Sequence, residues 1–463
     1  MKIALPKGRL LQDTADMLRE KGLEFEGYDP KSRAYRPSCN KFPDLKAKIF
    51  SEKDIPIQVA IGNYAVGICG LNWVEELLAK YPNSALVKVC HLGYGEGDIY
   101  ACANKLTCIT TTDHLRNFTE TLRIATEYPN MAEAFAMQLR LKKFIVFPLW
   151  GTAEKYPPDC ADIVLTHQAS KEHLDDYNLV PLTTILNSEA VVIANKQSWE
   201  SSDMSSILGP LFHVNSSANT KPIAKAGKKS SGKHLPYLGS RTKDHMYLAL
   251  PDGHQQKHAS TFLARASIRV ENYSAGFDGP AMNLDGVVVK IIRPQDMTFQ
   301  VANGNFDMAV TGQDWLYDHL YRFPTSPVRQ LLNLGFGKVR IVAVVSETLP
   351  ANTIEDLRKM LQTGELPVLR IASEYVNIAD KFARDNHLSP CRLIPTWGAT
   401  EAFLPEDADL LIENTETGKT LKENNLKIID TLFESSACVI GKADSPYQET
   451  ISSIVEGMKR GVL

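Results

Sequence analysis

Leu122-Arg123-Ile124-Ala125-Thr126-Glu127-Tyr128-Pro129-Asn130 returns as Leu369-Arg370-Ile371-Ala372-Ser373-Glu374-Tyr375-Val376-Asn377, seven identities in nine positions at an offset of 247. The correspondence runs outward in both directions. Ile3-Ala4-Leu5-Pro6 answers Leu248-Ala249-Leu250-Pro251, and Ile61-Gly62-Asn63-Tyr64 answers Asn303-Gly304-Asn305-Phe306. Phe147-Pro148-Leu149-Trp150-Gly151 answers Ile394-Pro395-Thr396-Trp397-Gly398, and Ser188-Glu189-Ala190-Val191 answers Ser435-Ser436-Ala437-Cys438. The offset stays between 242 and 247, so the copies differ by short loop changes. A unit this long is a duplicated domain, not a solenoid repeat of roughly 20–50 residues. Where two copies of one site disagree, chemistry has been lost or moved.

The 463 residues exceed the length at which one hydrophobic core stops growing, so several domains are expected. The boundaries read as a first copy over 1–212, a linker over 213–243 and a second copy over 244–463. The linker has no carboxylate and little apolar content, which reads as a flexible, basic tether. A net charge of −3 argues against a general nucleic-acid or membrane surface, but not against a locally basic pocket for a phosphorylated metabolite. The eight cysteines form no C-x-x-C pair, so neither a zinc site nor a disulfide framework is indicated. Met1–Lys7 is interrupted by proline and lysine before any apolar run forms, and no stretch approaches a membrane span. A cytoplasmic protein is expected.

Each copy alternates short β-branched runs with amphipathic helical patterns. Lys2–Leu5 reads as a strand, Leu10–Lys21 as a helix, and Val59–Cys69 leads into a helix at Trp73–Leu78. Arg123–Thr126, Ile145–Pro148 and Ala161–Leu165 read as strands, and Met131–Leu139 as a helix. This alternation predicts α/β architecture with mostly parallel sheets, whose ligands sit at the carboxyl ends of strands near helix starts.

Two stretches occupy such places. Ala408–Leu421 runs an apolar strand into Glu413-Asn414-Thr415-Glu416-Thr417-Gly418-Lys419-Thr420 and then a helix start. A Thr-Gly-x-Thr turn offers N–H groups and hydroxyls to an anion, and the two carboxylates suit sugar hydroxyls or a hydrated Mg²⁺. It is not a Walker A loop, because Glu413 stands where that motif needs a glycine. The first copy opens with Leu5-Pro6-Lys7-Gly8-Arg9, two cations at a helix start that call for an anion.

Together these stretches resemble the ATP phosphoribosyltransferase family. The Gly67–Asn72 turn, Arg123–Asn130, the Gly-x-x-Glu turns at Gly151–Glu154 and Gly398–Glu401, and the Glu416–Leu421 loop occur in that family's order through both copies. The resemblance implies two tandem copies of a two-lobed, periplasmic-binding-protein-like (type II) core, with second lobes at about 106–181 and 351–428. It also implies transfer of phosphoribose from PRPP to N1 of ATP, with Mg²⁺ and release of pyrophosphate. By the same resemblance, Lys7, Arg9 and Arg33 are the expected catalytic cations, with Lys7, Gly8 and Arg9 on ATP. Glu413, Glu416, Thr417, Gly418, Lys419 and Thr420 are expected on PRPP. No metal ligand is identified.

The copies have failed in complementary places. In the first, Glu413, Glu416, Gly418 and Thr420 are replaced by Thr166, Ala169, Lys171 and His173. Asp307 and Asp314 correspond to Ala65 and Asn72, and Lys338 and Arg340 to Glu96 and Asp98. In the second, Lys7-Gly8-Arg9 has become Asp252-Gly253-His254, and Arg33 has become Ala275. Losing several charge-assisted hydrogen bonds of ~1.5–3 kcal/mol each would disable a phosphate pocket. The expectation is an internal pseudo-dimer sharing one composite site, open to a further homo-oligomer or a synthetase-like regulatory subunit. The rival readings are a non-catalytic homologue that binds nucleotide or histidine, and a solute-binding protein of similar fold. The repeated Trp150 and Trp397 read as packing residues, His167 and His173 as loop residues, and the glycines of His91–Gly97 as a turn.

Overall fold

The computed structural model describes residues 1–32, 34–201, 204, 209, 245–273 and 281–462. The expected linker, Arg33 and Ser274–Asp278 lie outside the described residues. Among the described residues, four five-stranded sheets carry the fold, two in each copy. The first lobe of copy one orders its strands Lys46–Phe50, Lys2–Pro6, Val66–Gly70, Ala190–Asn195, Leu86–His91. The second lobe repeats that plan with Phe144–Pro148, Leu122–Thr126, Ile163–Gln168, Gly97–Asn104, Leu179–Ser188. Copy two reproduces both orders, from Met246–Pro251 at one lobe and Leu369–Ser373 at the other. This is the expected two-lobed core of the periplasmic-binding-protein type, present twice.

The sheets are mixed, not mostly parallel. Lys2–Pro6 pairs in parallel with both its neighbours, but Ala190–Asn195 runs antiparallel to Val66–Gly70 and to Leu86–His91. The cause is the chain path. It leaves the first lobe after Leu86–His91 and returns along Leu179–Ser188 into Ala190–Asn195, so the returning strand enters from the opposite end. The outward crossing is made on Gly93 and Gly95, repeated at Gly335 and Gly337, all four at positive φ. The spaced glycines are therefore a hinge-like turn between lobes. Val59, read as the start of a strand, ends the helix Asp54–Ala60, and the strand is Val66–Gly70.

The copies pack reciprocally, each first lobe against the other copy's second lobe. One continuous core joins Leu5, Ile49 and Phe50 of the first copy's first lobe to Phe403, Leu404 and Leu411 of the second copy's second lobe. Another joins Tyr156, Cys160 and Val164 of the first copy to Tyr247, Phe306 and Ile440 of the second. The two seams obey an approximate two-fold. Trp150 N donates to the buried Asp296 carboxylate at 3.1 Å, and Trp397 N donates to the corresponding Asp54. Trp150 also packs edge-on against Trp315 at 5.7 Å, so the repeated tryptophans are half-buried seam residues.

Candidate functional site

Strand Leu410–Thr415 ends in a tight turn before the short helix Lys419–Glu423. Gly418 caps that helix at φ +75°, a left-handed conformation that costs glycine little, and its N–H donates to Thr415 Oγ1 at 2.9 Å. Lys171, its counterpart, sits at φ −69°, so the first copy's loop follows a different path. Glu416, Thr417 and Lys419 are exposed, Thr420 is half-buried and Glu413 is buried. Asn414 Nδ2 donates to Tyr375 Oη at 3.0 Å, and that hydroxyl donates to Asp314 at 2.6 Å, tying the loop to the facing lobe.

Glu413 is one of three acids drawn together. Burial, then the neighbouring Glu401 and Glu374 charges, push its carboxyl well above the usual range. Burial also lifts Glu374 to about 7, against a hydrogen bond from Gly398 N–H and the nearby Lys53 and Lys7 charges. Both lysines belong to the first copy. Lys7 Nζ donates to Tyr35 Oη at 3.1 Å, and the phenol lies within hydrogen-bonding reach of Glu401 and close to Glu413. Lys53 pairs with Glu127 at 3.3 Å and lies over the Trp73 ring. A cavity of about 230 Å³ opens on this seam between Lys7, Ser32, Tyr35 and Thr420. Cations from one copy thus meet carboxylates from the other, and perturbed groups of this kind concentrate at functional sites.

Beside it, the second copy's own interlobe cleft encloses about 370 Å³, with Asp252, His254, Arg293 and Lys338 facing Glu374 and Glu416. Arg293 Nε lies 3.4 Å from Asp252, whose carboxyl burial raises and Arg293 opposes. Glu374 lines this cleft and also senses the first copy's lysines, so cleft and seam adjoin. Among the described residues no three His, Cys, Asp or Glu side chains converge as a metal cage.

The first copy's cleft is occupied by its own side chains. Arg9 Nη1 donates to Gly95 O at 2.9 Å, and Nη2 pairs with Glu52 at 3.2 Å. A Cβ placed on Gly95 would lie 2.2 Å from Leu10, whereas nothing lies within 4 Å of the corresponding position on Gly337. His167 fills the space over Gly97, and burial and the Arg9 charge lower its pKa to about 4. The structure therefore brings Lys7 to Thr420 and turns Arg9 toward His167. Gly8 holds the opening turn at φ +82°. Sequence alone does not mark Tyr35, Lys53, Glu374 and Glu401 as site residues. The usable signal was again copy against copy, since Tyr35 and Lys53 answer Phe277 and Gln295.

The sequence model of the family described as ATP phosphoribosyltransferase matches residues 51–212 and 293–460. A curated ATP phosphoribosyltransferase of Prosthecochloris aestuarii is 32% identical over 211 residues, 44% of this chain and 66% of the relative. That of Chlorobium luteolum is 32% identical over 203 residues, 43% of this chain and 64% of the relative. The chain thus spans a little under two thirds of the length of these relatives. Among solved structures, the ATP phosphoribosyl transferase (HisG:HisZ) complex from Thermotoga maritima aligns at 24% identity and TM-score 0.38, over 47% of this chain and 98% of that one. The periplasmic aliphatic sulphonate binding protein of Escherichia coli aligns at 12% identity and TM-score 0.31, over 48% and 69%.

Proposed function

Because the chain belongs to the ATP phosphoribosyltransferase family, we propose that it transfers phosphoribose from PRPP to N1 of the adenine of ATP, the first step of histidine biosynthesis. The observation that carries this reading is the seam where the first copy's Lys7 and Tyr35 meet Glu401, Glu413 and Thr420 of the second. N1 gives its lone pair to the anomeric carbon as the bond to pyrophosphate breaks and the pair leaves with that group. No protein nucleophile is needed. The demands are alignment and positive charge at the leaving group, supplied by fixed side chains that need no reorganisation.

PRPP is proposed to lie on Glu413–Thr420 at the mouth of the second copy's cleft, with Arg293 and Lys338 opposite. Lys7 approaches from across the seam; Gly8 and Arg33 complete the nucleotide side on the strength of the sequence resemblance, and Arg9 would have to leave Glu52 and Gly95 to join them. Mg²⁺ is proposed to arrive on PRPP, and the exposed Glu416 carboxylate in the cleft suits contact through the ion's water shell. When bound, the ion would neutralise charge on the leaving pyrophosphate. The resemblance also supports a further homo-oligomer and a synthetase-like regulatory subunit.

The test is pyrophosphate release that requires both ATP and PRPP. Release from the full chain is expected, with Lys7→Met and Glu416→Gln each lowering kcat at least ~10-fold. A fully active Arg9→Ala enzyme would remove Arg9 from the proposed set. No release under any condition would replace this reading with a regulatory homologue that binds nucleotide or histidine.

A further inference from the structure

We infer that Tyr35 is a positioning residue that couples the first copy's Lys7 to the second copy's Glu401 and Glu413, and so holds the phosphoribose loop in its working form. The inference rests on the function proposed above. Three observations converge on the phenol. It is 7% exposed and pinned by its own backbone, Ile49 N donating to Tyr35 O at 2.9 Å. Its oxygen accepts from Lys7 Nζ at 3.1 Å, with the ammonium 4.9 Å from the ring centroid. Its own O–H is hydrogen-bonded toward Glu401, and the Glu413 carboxylate also acts on it. A phenol accepts one hydrogen bond and donates another, so it can stand between an ammonium and a carboxylate where phenylalanine cannot.

The duplicated chain supplies the control. In the aligned sequences Tyr35 corresponds to Phe277, Lys7 to Asp252 and Glu413 to Thr166, while Glu401 keeps a counterpart in Glu154. The hydroxyl is present where there is a cation to donate to it and a second carboxylate behind its acceptor. It is absent where both have gone. Three positions far apart in sequence have changed together, which packing alone does not require, because Phe and Tyr fill nearly the same volume.

The contact also bears on protonation. Glu401, Glu413 and Glu374 face one another, with Lys7 and Lys53 the cations and Thr400 a further hydrogen-bonding neighbour. A phenol donating into this cluster favours the ionised form, and its removal favours the protonated one. Removing the phenol should therefore make the cluster harder to ionise.

The experiment compares the full-length protein with Tyr35→Phe, which keeps the ring. For pyrophosphate release, kcat should fall about 10-fold with KM for ATP little changed, and the acidic limb of the kcat profile should move to higher pH. A purely structural role would lower thermal stability without moving that limb. Calorimetric titration with Mg²⁺ and PRPP gives a readout free of turnover: the variant should bind PRPP about 10-fold more weakly, with the loss already present in Lys7→Met and not repeated in the double variant. Wild-type kcat, pH profile and PRPP affinity in Tyr35→Phe would overturn the inference and leave the function standing. A wild-type protein that binds PRPP without releasing pyrophosphate would overturn the function, and the affinity of Tyr35→Phe would still decide for or against Tyr35. No PRPP binding by the wild type would overturn both.

Discussion

The two seams have one architecture and different chemistry. At the first, Lys48 Nζ lies 2.7 Å from Asp407 and 2.6 Å from Glu406, with the Lys48 and Asp407 side chains 4% and 1% exposed. Tyr64 Oη donates to the same Asp407 at 2.9 Å. At the second, Lys290 occupies the matching place but meets a single acid, Asp159, at 2.8 Å, plus the carbonyls of Lys155 and Pro157. Cys160 stands where Asp407 would be, and Phe306 where Tyr64 would be. In a true dimer both seams come from one patch, and any substitution appears twice. Fusing the copies removes that constraint. The frame contacts, Trp150 to Asp296 and Trp397 to Asp54, persist on both sides, while the polar groups have diverged.

The hardest test of this asymmetry is to remove the matching lysines. Lys48→Met leaves two acids facing a buried seam, and breaking a buried pair from one side costs about 3–5 kcal/mol. Lys290→Met leaves Asp159, a quarter exposed and able to hydrate, so the loss should be on the order of 1 kcal/mol. Urea unfolding midpoints check both. Equal losses would mean that the seams are energetically equivalent and that the divergence is confined to the ligand-facing groups.

A second break comes from pH. Glu374, raised by burial to about 7 from 4.5, holds its proton in the folded chain over a range where the unfolded chain has lost it. Its contribution is complete below pH 4.5 and declines as pH rises to about 7, since the folded state then binds more protons than the unfolded. Glu374→Gln should therefore be more stable than wild type at pH 8 by on the order of 2–3 kcal/mol, the gap closing toward pH 4.5. Glu76 in the first copy is raised to about 7 by its own burial, so the parent keeps part of its pH dependence in the variant. A gap that does not change between pH 5 and 8 would refute the buried-proton account.

How much of this could be read beforehand follows the same division. The periodicities placed Lys2–Pro6, Leu11–Glu20, Leu122–Thr126 and Pro129–Gln138 within a residue or two, because each is a clean period bounded by glycine, proline or charge. The run Val59–Cys69 starts too early for its strand, Val66–Gly70, because Val59 and Ala60 belong to the end of the helix Asp54–Ala60 and an apolar residue there fits a strand or a buried helix equally. Parallel and antiparallel neighbours could not be separated, since strand direction depends on where the chain crosses between lobes. The aligned copies exposed the loop at Glu413–Thr420 and the turn at Lys7–Arg9. They did not expose the direction of Arg9, whose guanidinium is drawn to Glu52 and Gly95 of its own copy. Tyr35 and Glu401 belong to the site through a seam that joins residues more than 360 positions apart, a contact that no local pattern encodes.

Exchanging the loop residues probes the comparison at smaller scale. Gly418→Lys places a side chain at φ +75°, worth roughly 1–2 kcal/mol of strain, although no neighbour would obstruct its Cβ. The expected result is a modest loss of stability and at least ~10-fold weaker PRPP binding by calorimetry, because the turn must relax toward the first copy's path. Lys171→Gly should leave PRPP binding unchanged. A gain of PRPP binding in Lys171→Gly would refute the proposal that the missing carboxylates keep PRPP off the first copy.

The smallest effect is expected where the copies agree. Thr152 and Ala399, the second residues of the two Gly-x-x-Glu turns, both sit in the left-handed region, at φ 58° and 55°. Neither residue favours it, and glycine would relieve the strain at the cost of a more flexible unfolded chain, a net gain of about 0.5–1 kcal/mol in each copy. Matching gains in Thr152→Gly and Ala399→Gly, read from thermal unfolding, would show that the turn belongs to the shared frame. The activities should not match. Ala399 lies two residues before Glu401, which answers Tyr35 across one seam, whereas Thr152 precedes Glu154, which feels the Arg293 charge across the other. Loosening the first turn should leave pyrophosphate release intact, and loosening the second should lower it. Strain kept in both turns but needed in one is what a duplicated frame with a single working seam would retain.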